Sequence, residues 1–481
     1  SKLNLARMDA CFGSVKVVTL VLLLSSCIVF AVEHQDPTLR LERLFAHDDD
    51  SWVHHQKRRG LNAATVECGA VLQTIATASD ATDFISAYFG QLFAGDAISL
   101  ALTLPLLTSL IRNGVQIRKV CSSCASHAET MNNNTNSNQA SYLEYCGPDV
   151  YGYDTLHSGL LLLPVSEGDG ESIKEGTMSS FLFNHASESD SLGGAPSENW
   201  NQLDSSVDAV FGFLGAASGL ATLLPDYMGY GESAEVLHKG YLLRKTYGTA
   251  TLPLFLKMQS IIREETDCKS ALATAAVLAG YSEGGYSSVA IADALSSGLG
   301  VDIISVQSGA GPYKIGSVTL TKVLENMQAG TYPPSQYYLM LLIASSFSSA
   351  NPMVENYQQG QDLLADRRKA ELLELVKRGG SNSEFNSFVN NDDPTDMFDA
   401  NFTAWAFESI AAGNYDPCSF RLEEGFNDKL CEALASNDLT DILLNVNYPV
   451  QMCQSPDDEI VTALNIPDIE ENDFLRLLTV T

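Results

Sequence analysis

Positive charge is scarce in this sequence. Its 481 residues hold 28 lysines and arginines against 59 aspartates and glutamates, a formal net charge of −31. A surface that acidic repels phosphate backbones, which argues against nucleic acid as a partner and says nothing of fold. Histidine is scarcer still: there are eight, and none lies beyond His238. The mean hydropathy is near zero, which excludes a polytopic membrane protein. The apolar stretch Ile98–Ile111 is broken by Pro105 and is too short to span a bilayer. No segment repeats. Cys121, Cys124 and His127 could form half of a zinc site, but no second ligand pair follows at finger spacing, so no metal is expected. With 45% apolar and 18% charged residues the chain is neither disordered nor collagen-like. Its length suits one large elaborated domain or a core with an insert.

What is present begins with the leader. After Met8 come Lys16 and an apolar run from Val17 to Val32, with Val29 and Ala31 placed as a −3/−1 pair. This is the layout of a secretory signal peptide over 8–31; a short membrane anchor is the alternative. The residues before Met8 read as the product of a partial or mis-started gene. Export suits the eight cysteines beyond the leader: Cys68, Cys121, Cys124, Cys146, Cys268, Cys418, Cys431 and Cys453. An even number in an oxidising compartment suggests disulfides, with a connectivity that spacing does not reveal. Asn133-Asn-Thr135 and Asn401-Phe-Thr403 are acceptor sequons. Lys57-Arg58-Arg59 is a candidate processing site or a solvated turn.

Residues 32–145 read as an N-terminal helical and loop region. From 150 to 314, the runs Leu160–Leu163, Phe181–Phe183, Leu220–Leu224, Ala275–Ala279 and Ile303–Val306 alternate with polar or helical stretches. Near-continuous apolar strands separated by helices imply a parallel sheet covered on both faces, an α/β class. Over 315–440 the rhythm becomes helical, with helices expected at Ser335–Ser346 and from Gln361 to Arg378, the latter stopped by Gly379-Gly380. A strand at Tyr448–Cys453 then returns to the core, whose second part is 445–481.

The strongest chemical signal is Gly280-Tyr-Ser282-Glu283-Gly284-Gly285, the one G-x-S-x-G in the chain. The apolar strand Thr274–Ala279 precedes it and a helix, Tyr286–Leu299, follows. Strand, sharp turn and helix make a nucleophile elbow, which exposes the Ser282 hydroxyl above a sheet. Small flanking residues let strand and helix approach, and the helix N-terminus offers the Glu283 N–H to a developing oxyanion. An ordinary glycine-rich turn is the bland alternative.

Upstream stand Asn184-His185-Ala186-Ser187 and Pro225-Asp226-Tyr-Met-Gly-Tyr-Gly-Glu-Ser233, with His238 after them; downstream stands Gly309-Ala-Gly-Pro-Tyr313. In this order and spacing the set resembles the secreted lipases and esterases of the α/β-hydrolase superfamily, over about 150–345 and again near 448–465. The resemblance implies an α/β-hydrolase fold with the insert as a helical cap. It implies Ser282 as nucleophile, with Glu283 and Ala186 supplying oxyanion N–H groups. Ala186 departs from the glycine usual in that turn. In Ser455-Pro-Asp457-Asp458-Glu-Ile-Val461, after the last apolar strand, Asp458 fits the spacing of the triad acid, with Asp457 as the runner-up.

Chain order on this fold is nucleophile, acid, histidine, yet no histidine follows Asp458. Three explanations are open: the C-terminal end of the fold is missing, the protein no longer catalyses, or His185 or His238 is recruited. The expectation is a secreted serine hydrolase of carboxylic esters, lipid esters foremost, needing no cofactor and touching a lipid interface transiently. The alternatives are a non-catalytic binding protein on the same fold and a serine peptidase. Oligomeric state is not legible.

Overall fold

The computed structural model describes residues 71–75, 77–92, 104–105, 107–121, 147–148, 154–166, 172–199, 207–234, 239–347, 363–388, 397–419, 428–468 and 474–479. The leader, the basic triplet, the first sequon, Cys68, Cys124, Cys146, His127 and His238 lie outside them. Among the described residues no helix is long and apolar enough to cross a membrane.

A nine-stranded sheet forms the centre, in the order β1-β2-β5-β7-β6-β8-β9-β10-β11. Its strands are β1 (Val71–Ile75), β2 (Gly114–Cys121), β5 (Ser158–Val165), β6 (Gly176–Asn184), β7 (Ala221–Pro225), β8 (Ser270–Tyr281), β9 (Asp302–Gly309), β10 (Val450–Gln454) and β11 (Leu475–Thr479). A separate ribbon pairs β3 (Gly147–Pro148) with β4 (Asp154–Thr155). From β7 through β11 neighbours run parallel, while β1, β2 and β5 enter antiparallel.

The crossover segments carry α1 (Ala78–Leu92), α2 (Val207–Ala217), α3 (Arg244–Glu265) and α4 (Glu283–Leu299). Strand alternation divides the core in two. Leu161, Leu163, Leu182 and Leu223 join the larger cluster on one face. Leu160, Leu162, Phe181, Phe183 and Leu224 join the second cluster on the other. Both faces are therefore covered, which is why these strands read as continuous apolar runs.

Between β9 and β10 the chain forms the helical insert. It holds α5 (Leu320–Gln328), α6 (Tyr337–Ser346), α7 (Asp366–Lys377), α8 (Asn382–Phe388), α9 (Ala400–Ala411), α10 (Asp428–Asn437) and α11 (Thr440–Asn445). Helix α7 is followed by Gly379 in the left-handed region, φ 67°. Asp399 caps α9, accepting from the N–H groups of Asn401 and Phe402. The exposed Asn401 of the second sequon stands in that first turn.

Three strands depart from the sequence expectation. β1 and β2 extend the sheet from the N-terminal region, and β11 adds a strand within the second part of the core, where none was expected beyond Tyr448–Cys453. The disulfide expectation holds for Cys418–Cys431, and Cys121 is also disulfide-bonded. Cys268 and Cys453 are free thiols.

Candidate active site

Strand β8 delivers Ser282 at its C-terminal end. Ser282 has φ 57° and ψ −119°, backbone angles that a non-glycine residue adopts only under constraint. The constraint is visible on both sides. Ser282 N–H donates to Gly309 O at 2.8 Å, and Tyr286 N–H donates to Ser282 O at 3.1 Å. A Cβ at Gly280 would stand 2.3 Å from Gly284 O, one at Gly284 2.0 Å from Asn184 O, and one at Gly285 2.5 Å from Gly309 O. The three glycines are thus required by backbone-to-backbone packing of strand, turn and helix. Ser282 is half-buried, and its hydroxyl makes no hydrogen bond within the described residues.

Sheet register brings the other pieces to the same edge. Gly309 is level with Tyr281 on one side and with Cys453 on the other. Two strand spacings, about 10 Å, therefore separate the ends of β8 and β10. Asp458 stands in the turn that follows β10. Its Oδ1 accepts from the N–H groups of Ile460 and Val461, both at 2.9 Å, and Gln454 Nε2 lies 3.5 Å from Oδ2. Asp458 is half-buried, whereas Asp457 is exposed. Asn184, at the end of β6, is level with Gly280, so His185 and Ala186 follow on this edge as well. Helix α4 starts at Glu283, where helical N–H groups lack intrahelical acceptors. Neither the Glu283 nor the Ala186 N–H has a hydrogen-bond partner within the described residues.

The structure removes His185 from the candidate bases. Its ring stacks on Tyr227 with centroids 4.0 Å apart. Nδ1 donates to Ala186 O at 2.8 Å, and Nε2 lies 3.4 Å from Asp226 O. Both ring nitrogens face backbone carbonyls, and burial pushes the imidazole down to about 4. A neutral ring committed to shaping its own loop has no free face for Ser282. His157 is buried immediately before β5, three strand spacings or about 14 Å across the sheet from β8.

Sequence reasoning missed the polar groups behind the turn. The Glu283 side chain is buried, and its Oε1 accepts from Tyr247 Oη at 2.8 Å. Burial pushes this carboxyl up to about 8. Lys239 is buried too, with Nζ 4.3 Å from the centroid of Tyr230 and donating to Ser189 O. Burial pushes its ammonium down to about 7. The Pro225–Ser233 run carries two tyrosines whose hydroxyls reach the carbonyls of His185 and Glu188, contacts that the sequence does not announce.

Strand order, the antiparallel strands β1, β2 and β5 on one side and the turn at Ser282 decide the architecture. The chain has the α/β-hydrolase fold. Solved structures match it over most of their length. A candidate hydrolase of Legionella pneumophila superposes with a TM-score of 0.57 at 15% identity, covering 85% of this chain and 90% of its own. The rice cell wall degrading esterase LipA of Xanthomonas oryzae superposes with a TM-score of 0.57 at 16% identity, covering 86% and 90%. No family model and no curated protein sequence matches. At these identities the likeness is one of fold.

Proposed function

We propose that this protein is a secreted serine hydrolase that cleaves carboxylic esters, lipid esters foremost, through an acyl-enzyme on Ser282. The observation that carries the reading is the constrained turn that presents a hydroxyl on the same sheet edge as two N–H groups, none of the three hydrogen-bonded among the described residues. Ser282 Oγ attacks the ester carbonyl while a base takes its proton. The oxyanion is held by the N–H groups of Glu283 and Ala186. Collapse expels the alcohol, which takes the proton back, and water then repeats the sequence on the acyl-enzyme.

Asp458 suits the acid by its place in the turn after β10, where its Oδ1 accepts from the Ile460 and Val461 N–H groups and so fixes the carboxylate. β11 runs parallel to β10, so its C-terminal end opens on the same edge. Secretion is supported by the apolar leader and by a disulfide that suits an oxidising compartment. Leu192 and Leu464, 56% and 48% exposed in the segments after β6 and β10, offer apolar side chains for transient contact with a lipid interface.

One observation favours a second reading, a binding protein on the same fold: neither described histidine faces Ser282. Turnover separates the two. A chain-length series of p-nitrophenyl esters should be hydrolysed, with longer acyl chains preferred. Ser282→Ala should lower kcat by about 10³-fold or more. Hydrolysis that survives Ser282→Ala would remove Ser282 from the reaction, and no hydrolysis at all would favour the binding protein.

A further inference from the structure

The segment after β6 is held by side chains. Each carbonyl from His185 to Ser189 accepts from one: Tyr227 Oη on His185 O at 3.0 Å, His185 Nδ1 on Ala186 O at 2.8 Å, and Tyr338 Oη on Ser187 O at 3.2 Å. Tyr230 Oη takes Glu188 O, and Lys239 Nζ takes Ser189 O. The insert reaches this segment most firmly through Asn382, at the start of α8. Asn382 Oδ1 accepts from Ser189 N–H at 2.8 Å and from Ser189 Oγ at 2.6 Å, and its Nδ2 donates to Glu188 Oε2 at 2.7 Å. Ser189 and Asn382 are both buried.

We infer that Asn382 is a positioning residue: through three hydrogen bonds to Glu188 and Ser189, the insert sets the backbone that aims the Ala186 N–H. This rests on reading Ala186 as an oxyanion donor. The chemistry of the side chain fits the task. An amide offers an acceptor and a donor on one rigid plane, so it can hold a backbone N–H, a hydroxyl and a carboxylate together without adding charge. Ser189 N–H has no other acceptor among the described residues: remove Asn382, and a buried donor loses its partner, so the segment shifts to find another. An oxyanion donor displaced by a fraction of an ångström loses most of its effect on the transition state and little of its effect on substrate binding. The insert is then part of the site's frame, in addition to anything it does as a cover.

The test combines turnover with hydrogen exchange. Asn382→Ala should lower kcat for a p-nitrophenyl ester about tenfold or more while KM stays within about twofold. Backbone amides of 185–191 should exchange faster in the same variant. Asn382→Gln keeps an amide that can accept from Ser189 and donate to Glu188, and should recover part of both readouts; it also serves if the alanine variant does not fold. Unchanged kcat or unchanged exchange in a folded variant overturns the inference. If the wild-type protein does not turn over, the ester-hydrolase reading fails separately, and exchange at 185–191 alone decides the role of Asn382.

Discussion

His185 shows how far one residue's type underdetermines its role. In sequence it stands beside the expected oxyanion turn and is a candidate base. In the structure both ring nitrogens face carbonyls and the ring lies between Tyr227 and Tyr230. Its folded pKa of about 4 lies below the ordinary 6.5. The neutral form is therefore favoured in the native state, and its stabilisation is complete above pH 6.5. As pH falls, the unfolded chain takes up a proton that the native ring refuses until about pH 4. Relative to His185→Phe, which does not titrate, the wild type should lose about 3 kcal/mol between pH 6.5 and 4. Urea unfolding of both proteins at several pH values measures this. A difference that stays constant over the window would show that the ring protonates without cost. Ser282 was more legible: glycines at 280, 284 and 285 are a local requirement, and the contacts that demand them are backbone atoms of adjacent segments.

At the scale of elements, the strands that flank the site were readable because both their faces are apolar. β5 is buried along its whole length and reads as Leu160–Leu163. β2 is buried just as completely but contains Gln116, Arg118 and Lys119. Its charges are satisfied by Glu265, Glu198 and Glu232, partners far along the chain that no local pattern announces. The insert was readable as helix from its leucine spacing, whereas its hold on the segment after β6 depends on Asn382, a single polar residue at a helix start. Within the insert, the Cys418–Cys431 disulfide closes a short loop, with a sequence separation of 13. Cys431→Ser should cost about 3 kcal/mol of stability. Thermal unfolding of the two proteins side by side checks it, and an unchanged midpoint would mean that the loop is held by packing alone.

For the molecule as a whole, the decisive feature is one edge of one sheet. The ends of β6, β8, β9 and β10 are level, so a hydroxyl, two N–H groups and a carboxylate from segments more than 270 residues apart in sequence converge there. Motif order made that convergence legible; the imidazole was not, because no histidine follows Asp458 in the sequence. The acidic surface fits the proposed substrates in a simple way, since a neutral ester meets no field that a nucleic acid would have to overcome. The most direct measurement is active-site labelling of protein from its natural source with a fluorophosphonate probe, followed by mass mapping of the adduct. One phosphonyl group on the peptide that carries Ser282, absent after Ser282→Ala, is the expected result; a native protein that takes up no label, or takes it elsewhere, would contradict the assignment of Ser282 as nucleophile.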